Sequence, residues 1–591
     1  MRRSSINEDL LRRWYSTSID GGGLRLSSAL ESLSLLDIDP DDDFIITDDN
    51  AKAAGRLAYG AVRDDDDDDA ANDDDRLAPT SSAVIKSKVI RREASLLREE
   101  LRAMVGLAVP VIVTYALELV PSIITLVLVG RIDDGNVGRG GVGGNNGDKT
   151  NGDDTDDDDD SSCARGLYID AAALAVMLYN VVGMSTGLGL LTALDTLCAS
   201  AHGANRPDKM GTYLLTGLSV MCMLYVIVAS ALCNATVVLL FFNQPEVVAK
   251  HAGIFVMWML PGLPFLYAYE LLRKLSQARN ETLPMIISAV TCVVVNACSG
   301  YYMVNYTKLG WLGAALARTL GNMSMVPAIL LCMYYTDREF VLVHVRGGLR
   351  VKDAINARAI AKFLNLGIPG MLQVMFEWVA FEILALECGI LPDFNTAIIA
   401  IGANAISMQI STFLYMLYLG ASVAGNIRIG NALGAGDTHR AMMAMYLALG
   451  LGLLLSFANT LFILSYRLAL PSLFTSDTDL IGKTKDLLII TAIFQVPDAI
   501  NGIDQGIYRA IGKQSLAAKL NAIAYYVVGI PFGYYLGLHM GYGVEGLWFG
   551  LVAGLAWGST INTMILLNLD WKQLSLDTRR RLSIVCAPPV D

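Results

Sequence analysis

The 591-residue sequence has little charge for its length. Only 17% of its residues are Asp, Glu, Lys or Arg, while 53% are hydrophobic. Soluble globular domains carry about 25% charged residues. This composition therefore excludes an ordinary soluble domain and indicates a chain that crosses a membrane many times.

Several motifs of enzyme chemistry are also missing. The nine cysteines form no C-x-x-C pair, and most lie in or beside apolar segments, where a thiol behaves as a small hydrophobe. We therefore predict no disulfide framework and no metal site. The apolar segments hold no His/Glu metal set and no Ser/His pair, so we expect no enzyme activity, no cofactor and no nucleic-acid partner. A Walker A sequence is absent, so any transport is expected to use an ion gradient.

The net charge of −12 is carried by two polar regions. Residues 1–103 and 131–166 hold 33 of the 57 acidic residues, and the rest of the chain has a net charge of +2. Runs such as Asp64–Asp69 and Asp156–Asp160 repel themselves and have no apolar neighbours in sequence. We predict a disordered acidic tail over 1–103 and a flexible acidic insert over 131–166.

Twelve apolar segments of membrane-spanning length follow the tail. They predict an N-lobe of six helices over 104–335, a loop over 336–359, a C-lobe of six helices over 360–568 and a C-terminal tail over 569–591. The first apolar run begins after residue 100, so the first helix is expected to act as its own insertion signal.

Basic residues set the expected orientation. The loop after span 6 holds six of them, whereas the loops after spans 7 and 11 hold none; the six are Arg338, Arg346, Arg350, Lys352, Arg358 and Lys362. Positive charge marks cytoplasmic loops, so both termini are expected in the cytoplasm. The segment ESLSLL at 31–36 fits an acidic dileucine sorting signal and favours an endomembrane such as the vacuole over the plasma membrane.

The two halves repeat each other. HGANRPDKM, starting at His202, matches LGAGDTHRA, starting at Leu433, and Tyr301 and Tyr302 match Tyr534 and Tyr535. Six spans per half make the repeats parallel, related by a pseudo-two-fold axis along the membrane normal. The predicted fold class is an all-α membrane protein with twelve helices in two six-helix lobes. This arrangement is typical of secondary transporters whose site lies between the lobes.

Acidic residues inside the apolar segments are the main candidates for function. A carboxylate at the bilayer centre costs about 2.5–3.5 kcal/mol, yet the seventh span holds Glu377, Glu382 and Glu387. Glu377 is mid-span, while Glu387 lies near the far interface. Asp498 follows Pro497 in the tenth span. Such residues usually mark a proton or ion pathway, or a site for a cationic ligand.

One acid in the first half has two interpretations. Glu118 sits in the middle of the first span. It is either a second proton site or part of an internal hydrogen-bond or ion pair, with Arg318 as one candidate partner.

Four motifs resemble the multidrug and toxic compound extrusion (MATE) family, especially its eukaryotic branch. They are GLGLLTALDTLCASAHGA from Gly187, IRIGNALGAGD from Ile427, IPGMLQVMFEWVAFEIL from Ile368 and DAINGIDQGIYRAIGKQ from Asp498. The resemblance covers about residues 104–572. It implies a V-shaped fold and efflux of organic cations, drugs or other amphiphiles in exchange for H⁺, or less often Na⁺.

The resemblance also assigns residues. It places proton coupling on Glu377, Glu382 and Asp498, and it matches Asn180 to an asparagine of the second span. It matches Asp195 and Arg509 to motif positions near the cytoplasmic ends. The chain departs from the family pattern in its long first loop and in Glu118.

The spacing of the seventh-span acids requires a bend. Glu377 and Glu382 are five residues apart, about 140° around an ideal helix, and Pro369 is a candidate for the bend that would let both face one point. Trp378 would offer a cation–π face to a cationic substrate, or it packs against lipid and neighbouring helices.

Together these features predict a monomeric, H⁺-coupled antiporter in the lipid bilayer. Two alternatives remain: an exporter of organic anions with the same fold, and a receptor or scaffold that no longer transports.

Overall fold

The structure is a computed structural model that describes residues 79–130, 157–336, 338, 354–392 and 394–584. Most of the predicted acidic tail, the 31–36 sequence, most of the insert, most of the loop over 336–359 and the last seven residues lie outside this description. Lys88–Asp591 forms one compact unit. The unit Met1–Ser87 is described only where the first helix begins.

The N-lobe consists of six long helices. They are α1 (Pro79–Gly130), α2 (Asp157–Leu178, Tyr179–Met184 and Ser185–Gly203), α3 (Pro207–Cys233), α4 (Glu246–Met259, Leu260–Gly262 and Leu263–Ala278), α5 (Leu283–Tyr306) and α6 (Leu312–Thr336). The middle part of α2 is π-helical and the middle part of α4 is a 3₁₀ turn. A short helix, Ala235–Phe241, follows α3.

The C-lobe repeats this arrangement. Its helices are α7 (Ala357–Gly389), α8 (Phe394–Ala435), α9 (Thr438–Tyr466), α10 (Thr478–Ile511), α11 (Gln514–Ala522, Ile523–Gly529, Ile530–Tyr534 and Tyr535–His539) and α12 (Gly543–Leu567). A further helix, α13, covers Trp571–Ile584. No strand occurs in the described parts of the chain.

Length and composition agree with a membrane location. All of these long helices except α7 and α13 contain a stretch apolar and long enough to cross a bilayer, which gives eleven candidate spans. Helix α7 carries the three glutamates; its 33 residues span about 50 Å at 1.5 Å per residue, which is also enough. The twelve-helix, two-lobe prediction is confirmed.

Two predicted boundaries are wrong, and the predicted C-terminal tail is partly helical. Helix α1 begins at Pro79 rather than near 104. Helix α2 begins at Asp157, inside the predicted flexible insert. The predicted C-terminal tail contains α13, which buries Trp571, Leu574 and Leu582.

The lobes meet where α2 ends at Gly203 and α8 ends at Ala435, which we call the closed end. A Cβ on Gly203 would lie 2.0 Å from the carbonyl oxygen of Asn431, and one on Gly434 would lie 2.2 Å from that of Ser200. The two contacts are equivalent in the repeat, because adding 231 converts Gly203 to Gly434 and Ser200 to Asn431. Such reciprocal pairing is the signature of a two-fold relation, and it matches the predicted repeat.

Polar contacts reinforce the closed end. Glu100 of α1 is buried and binds Arg428 of α8 and Arg440 of α9, each at 2.7 Å. Helix α13 ties further helices together, because the Lys362 amine donates to the Arg581 carbonyl at 2.6 Å and Arg581 donates to the Ile511 carbonyl at 3.0 Å. Burial lowers the pKa of the Arg581 guanidinium.

We predict that Gly434→Ala destabilises the protein, because the new Cβ would collide with the backbone of Ser200. Overpacking of this kind costs about 1–3 kcal/mol, so the melting temperature in detergent should fall. Gly450→Ala is the matched control, since nothing lies within 4 Å of a Cβ at Gly450 in α9. Equal melting temperatures for the two variants would contradict a tight backbone contact at Gly434.

Candidate functional site

The C-lobe encloses the mid-span acid of α7. Glu377 is buried, with 8% of its surface exposed. Its Oε2 accepts a hydrogen bond from Nε2 of Gln505 in α10 at 3.0 Å. The side chain of Tyr415 in α8 and the Arg509 guanidinium lie near enough to interact with this carboxylate, and Arg509 forms no ion pair with it. Three helices of one lobe therefore converge on Glu377.

Asp498 lies in the same place. It is 4% exposed, and the carboxylates of Asp498 and Glu377 are near enough to interact electrostatically. The buried side chain of Tyr525 in α11 interacts with both acids and with Tyr415. Glu377 and Asp498 have no Lys or Arg within 4 Å among the described residues. The structure therefore brings these two acids together within the C-lobe.

Unpaired polar atoms surround the two acids. Gln373, one turn before Glu377, is buried with no hydrogen-bond partner for either amide atom in the described chain. Asn501, three residues after Asp498, has an unpartnered Oδ1, and the Tyr525 hydroxyl is likewise unpartnered there. Buried polar groups are normally hydrogen-bonded, so this concentration distinguishes the region from ordinary helix packing. We refer to Glu377, Asp498, Tyr415, Gln505 and Tyr525 as the C-lobe acid site.

The other two glutamates of α7 are not part of this site. Glu382 is only partly buried, and it has no charged or hydrogen-bonding partner among the described side chains. Glu387 lies close to the end of α7. The helix continues without a break through Pro369, and Trp378, next to Glu377, is half-buried. The structure therefore does not bring Glu382 to the C-lobe acid site.

The other buried acid of α10 faces another helix. Asp504 is fully buried, and its Oδ2 accepts a hydrogen bond from Thr563 of α12 at 2.9 Å. This agrees with the 240° that separates it from Asp498 on an ideal helix. Asp504 is thus a buried carboxylate of the same helix outside the C-lobe acid site.

In the N-lobe, Glu118 forms an ion pair. Its partner is Arg273 of α4, with Nη1 3.1 Å from Oε2, and the Tyr269 hydroxyl donates to Oε1 at 2.9 Å. Arg273 also binds Glu270 and lies 4.4 Å from the ring centroid of Tyr115. Arg318, which was one candidate partner, does not pair with Glu118. Arg273 forms the ion pair instead, because it lies on the side of α4 that packs against α1.

Arg318 has a different environment. It is buried in α6, donates to the Ser122 hydroxyl at 2.6 Å and lies 5.6 Å from the ring centroid of Tyr179. A cavity of about 30 Å³ separates it from Glu118. Asn180, the family-matched asparagine, lies at the start of the π-helical turn of α2, and its Oδ1 has no partner among the described residues.

Asp195 connects the two lobes. Its carboxylate lies 2.7 Å from the Lys274 amine of α4 and 3.8 Å from Nη1 of Arg509 in α10. Next to it, the Thr196 hydroxyl donates to the backbone carbonyl of Arg509. Asp195 and Arg509 thus brace the closed end, as the motif positions suggested, and Lys274 is an additional member.

Comparison with known proteins matches this architecture. A family model described as MatE covers residues 167–302 and 369–535. Multidrug and toxin extrusion protein 1 of Homo sapiens is 30% identical over 407 residues, covering 69% of this chain and 70% of that protein. The protein of the same name from Oryctolagus cuniculus is 32% identical over 386 residues, covering 65% and 66% respectively.

The chain belongs to the MATE family. Solved structures agree with this assignment: the crystal structure of the eukaryotic MATE transporter AtDTX14 matches with a TM-score of 0.70 and 24% identity, covering 82% of this chain and 100% of that one. The family consists of membrane transporters and not enzymes. This MATE protein spans about two thirds of the length of the curated relatives it matches.

Sequence reasoning missed several residues of the site in this MATE protein. Gln505 follows Asp498 by seven residues, which puts both on one face of α10, so that spacing was an available signal. Tyr415 and Tyr525 belong to other helices, and nothing in their local sequence separates them from the other tyrosines of the apolar segments. Lys274, which pairs with Asp195, follows Arg273 in the last part of α4.

We predict that Arg273→Ala strongly destabilises this MATE protein, because it leaves Glu118 and Glu270 buried without their cation. Breaking a buried pair on one side costs about 3–5 kcal/mol, so thermal melting in detergent should occur at a clearly lower temperature. Lys250→Ala is the control in the same helix, since Lys250 pairs with Glu246 on the exposed surface and should change melting little. Similar losses in both variants would refute a structural role specific to Arg273.

Proposed function

We propose that this protein is a secondary active antiporter that exports organic cations, drugs or amphiphilic metabolites in exchange for protons, by alternating access between its lobes. The observation that carries the proposal is the C-lobe acid site, where Glu377 and Asp498 are buried together without a basic ion-pair partner. The names of the curated relatives support extrusion of drugs or toxins as the process.

The chemistry of this pair suits exchange. Two buried carboxylates that share a site cannot both remain ionised without a counter-charge. The pair therefore holds a proton or a cation, and the two compete for the same oxygens. Gln505 orients the Glu377 carboxylate by donating a hydrogen bond to it, and the Tyr415 side chain lies near the same carboxylate. Protonation on one side of the membrane then releases an organic cation bound from the other side.

In the proposed mechanism, the closed end is the part that opens and closes as access alternates. The reciprocal glycine contacts and the Glu100 and Asp195 ion pairs join the lobes at that end. Transport requires these contacts to open while the lobes approach each other elsewhere. We further propose that the closed end faces the cytoplasm, because loops rich in Lys and Arg lie on that side. Both termini would then be cytoplasmic.

The remaining assignments are also proposals. We propose H⁺ rather than Na⁺ as the coupling ion, no cofactor, a monomer as the working unit, and a plasma-membrane or vacuolar location. Glu382 and Asn180 contribute in this proposal by contacting substrate or water as the lobes move, since neither has a fixed partner among the described residues. Glu118, held by Arg273, would exchange its proton only if that pair opens.

An exporter of organic anions is the second candidate. It is favoured by Arg318, which is buried beside the N-lobe cavity without a carboxylate partner in the described chain. Transport measured at different membrane potentials separates the two candidates, because export of a cation and export of an anion move opposite charges.

We predict that Glu377→Gln abolishes pH-driven transport and leaves folding intact, because glutamine keeps the shape of the side chain but cannot exchange a proton. The measurement is uptake of a panel of organic cations into proteoliposomes under an imposed pH gradient. Asp504→Asn is the matched control: it removes an equally buried acid that faces α12 instead of the site. Wild-type exchange by the Glu377→Gln protein would exclude Glu377 as the coupling residue.

For Asp498 we predict a change in the pH dependence of transport. Removing one of two interacting carboxylates makes it easier to ionise the other, so Asp498→Asn should move the pH optimum of transport to more acidic values. The measurement is a pH–rate profile of Asp498→Asn beside wild type and Asp504→Asn. An unchanged profile with only a lower maximum would place Asp498 in a structural role.

A further inference from the structure

A second cavity lies at the closed end, away from both sites described above. Its volume is about 430 Å³. The end of α2, the start of α3, the end of α8 and α13 surround it; the lining residues are Gly203, Ala204, Asn205, Arg206, Lys209, Gly434, Ala435, Arg579 and Leu582. Gly203 and Ala204 correspond to Gly434 and Ala435 in the repeat. The cavity therefore sits on the pseudo-two-fold axis, between the lobes.

The lining is basic. It contains Arg206, Lys209 and Arg579 and no carboxylate. Two further cations stand behind it, because Lys362 interacts electrostatically with both Lys209 and Arg581. Three acidic residues lie close to lining residues in sequence, and their side chains are placed elsewhere. Asp208 is exposed on α3, Asp437 accepts a hydrogen bond from the Arg440 amide at the start of α9, and Asp577 accepts one from Gln573 within α13. The cavity thus concentrates positive charge.

Lys209 is the unusual member of the lining. Only 3% of its surface is exposed, yet its ammonium group has no hydrogen bond and no ion pair within the described chain. A buried charge without a partner is costly, and proteins normally pair it. Because Lys209 lines the cavity, a ligand in the cavity is placed to neutralise it.

The repeat offers a direct comparison. Adding 231 to Lys209 gives Arg440, the equivalent position of the C-lobe. Arg440 is paired with Glu100 at 2.7 Å and with Glu99 at 2.9 Å. The N-lobe copy of the motif keeps the cation but has no acid from the described chain beside it. The missing negative charge at Lys209 is thus a difference between two otherwise equivalent sites.

We propose that this cavity binds a phosphate-bearing anion. Lys209 would neutralise it from the cavity wall, while Arg206 and Arg579 would bind its oxygens from the rim, since guanidinium groups match phosphate geometry. Such a ligand touches α2 and α3 of the N-lobe, the end of α8 in the C-lobe and α13 at once. It binds the closed end only while the lobes are together, so it stabilises that state and slows its opening.

The test uses the full-length protein in detergent with inorganic pyrophosphate as the probe and sodium chloride of equal ionic strength as the reference. Pyrophosphate should raise the melting temperature by about 2 °C or more at saturation. Arg206→Gln and Lys209→Gln should each weaken binding about tenfold or more. Lys308→Gln, which removes an exposed cation between α5 and α6, is the matched control and should bind as wild type.

A second experiment distinguishes two sources of the phosphate group, a lipid headgroup and a soluble anion. The same variants are placed in phosphatidylcholine vesicles with or without phosphatidic acid. Stabilisation by phosphatidic acid alone identifies a lipid headgroup as the ligand, and stabilisation by pyrophosphate identifies a soluble anion. Either result supports anion binding in the cavity, provided that Arg206→Gln abolishes the stabilisation and Lys308→Gln keeps it.

The stability of the ligand-free variants gives an independent check. Lys209→Gln removes an unpaired buried charge, so without ligand it should melt at or above the wild-type temperature. Arg206 is exposed, so its replacement keeps the proposal testable even if Lys209→Gln folds poorly. The proposal is overturned if neither probe stabilises the wild type, or if Arg206→Gln responds as strongly as Lys308→Gln. Because binding is measured without transport, its failure would leave the proposed antiport untouched.

Discussion

Burying a charge away from water costs several kcal/mol unless an opposite charge or hydrogen bonds replace the lost hydration. Most buried charges of this protein obey that constraint. Glu118 has Arg273, Asp195 has Lys274, and Glu100 has Arg428 and Arg440. The arrangement of the helices depends on these pairs, because each of them joins helices that are distant in sequence.

The exceptions are then informative. Glu377 and Asp498 share a region of the C-lobe with each other instead of with a cation. Lys209 faces a cavity with no anion from the described chain. In the functions proposed for these two places, the compensating charge comes from outside the chain, as a proton, a cationic substrate or an anionic ligand. The same constraint therefore marks both places as candidates for ligand binding.

Much of the fold was predictable because the bilayer imposes it. The length of the apolar segments predicted the twelve helices. The recurrence of the HGANRPDKM motif 231 residues later predicted the two lobes. The helix ends were less predictable. Polar helices such as the first part of α1 and α13 leave no apolar signal, and the aspartate run in which α2 begins resembles a loop in sequence.

The site was predictable one helix at a time. Glu377 and Asp498 stood out because each is an acid within an apolar span, and Gln505 could have been found from its spacing on α10. The partner of Glu118 could not, because the choice between Arg273 and Arg318 depends on how α1, α4 and α6 pack. Tyr415 and Tyr525 enter the site for the same reason, through tertiary packing that no local pattern encodes.

Helix α13 has a practical consequence for experiments with tagged protein. It contacts α7 and α10 through Arg581, and it buries Trp571, Leu574 and Leu582. A label or reporter inserted within α13 would therefore disturb the packing of two other helices. Insertion sites for labels belong outside Trp571–Ile584.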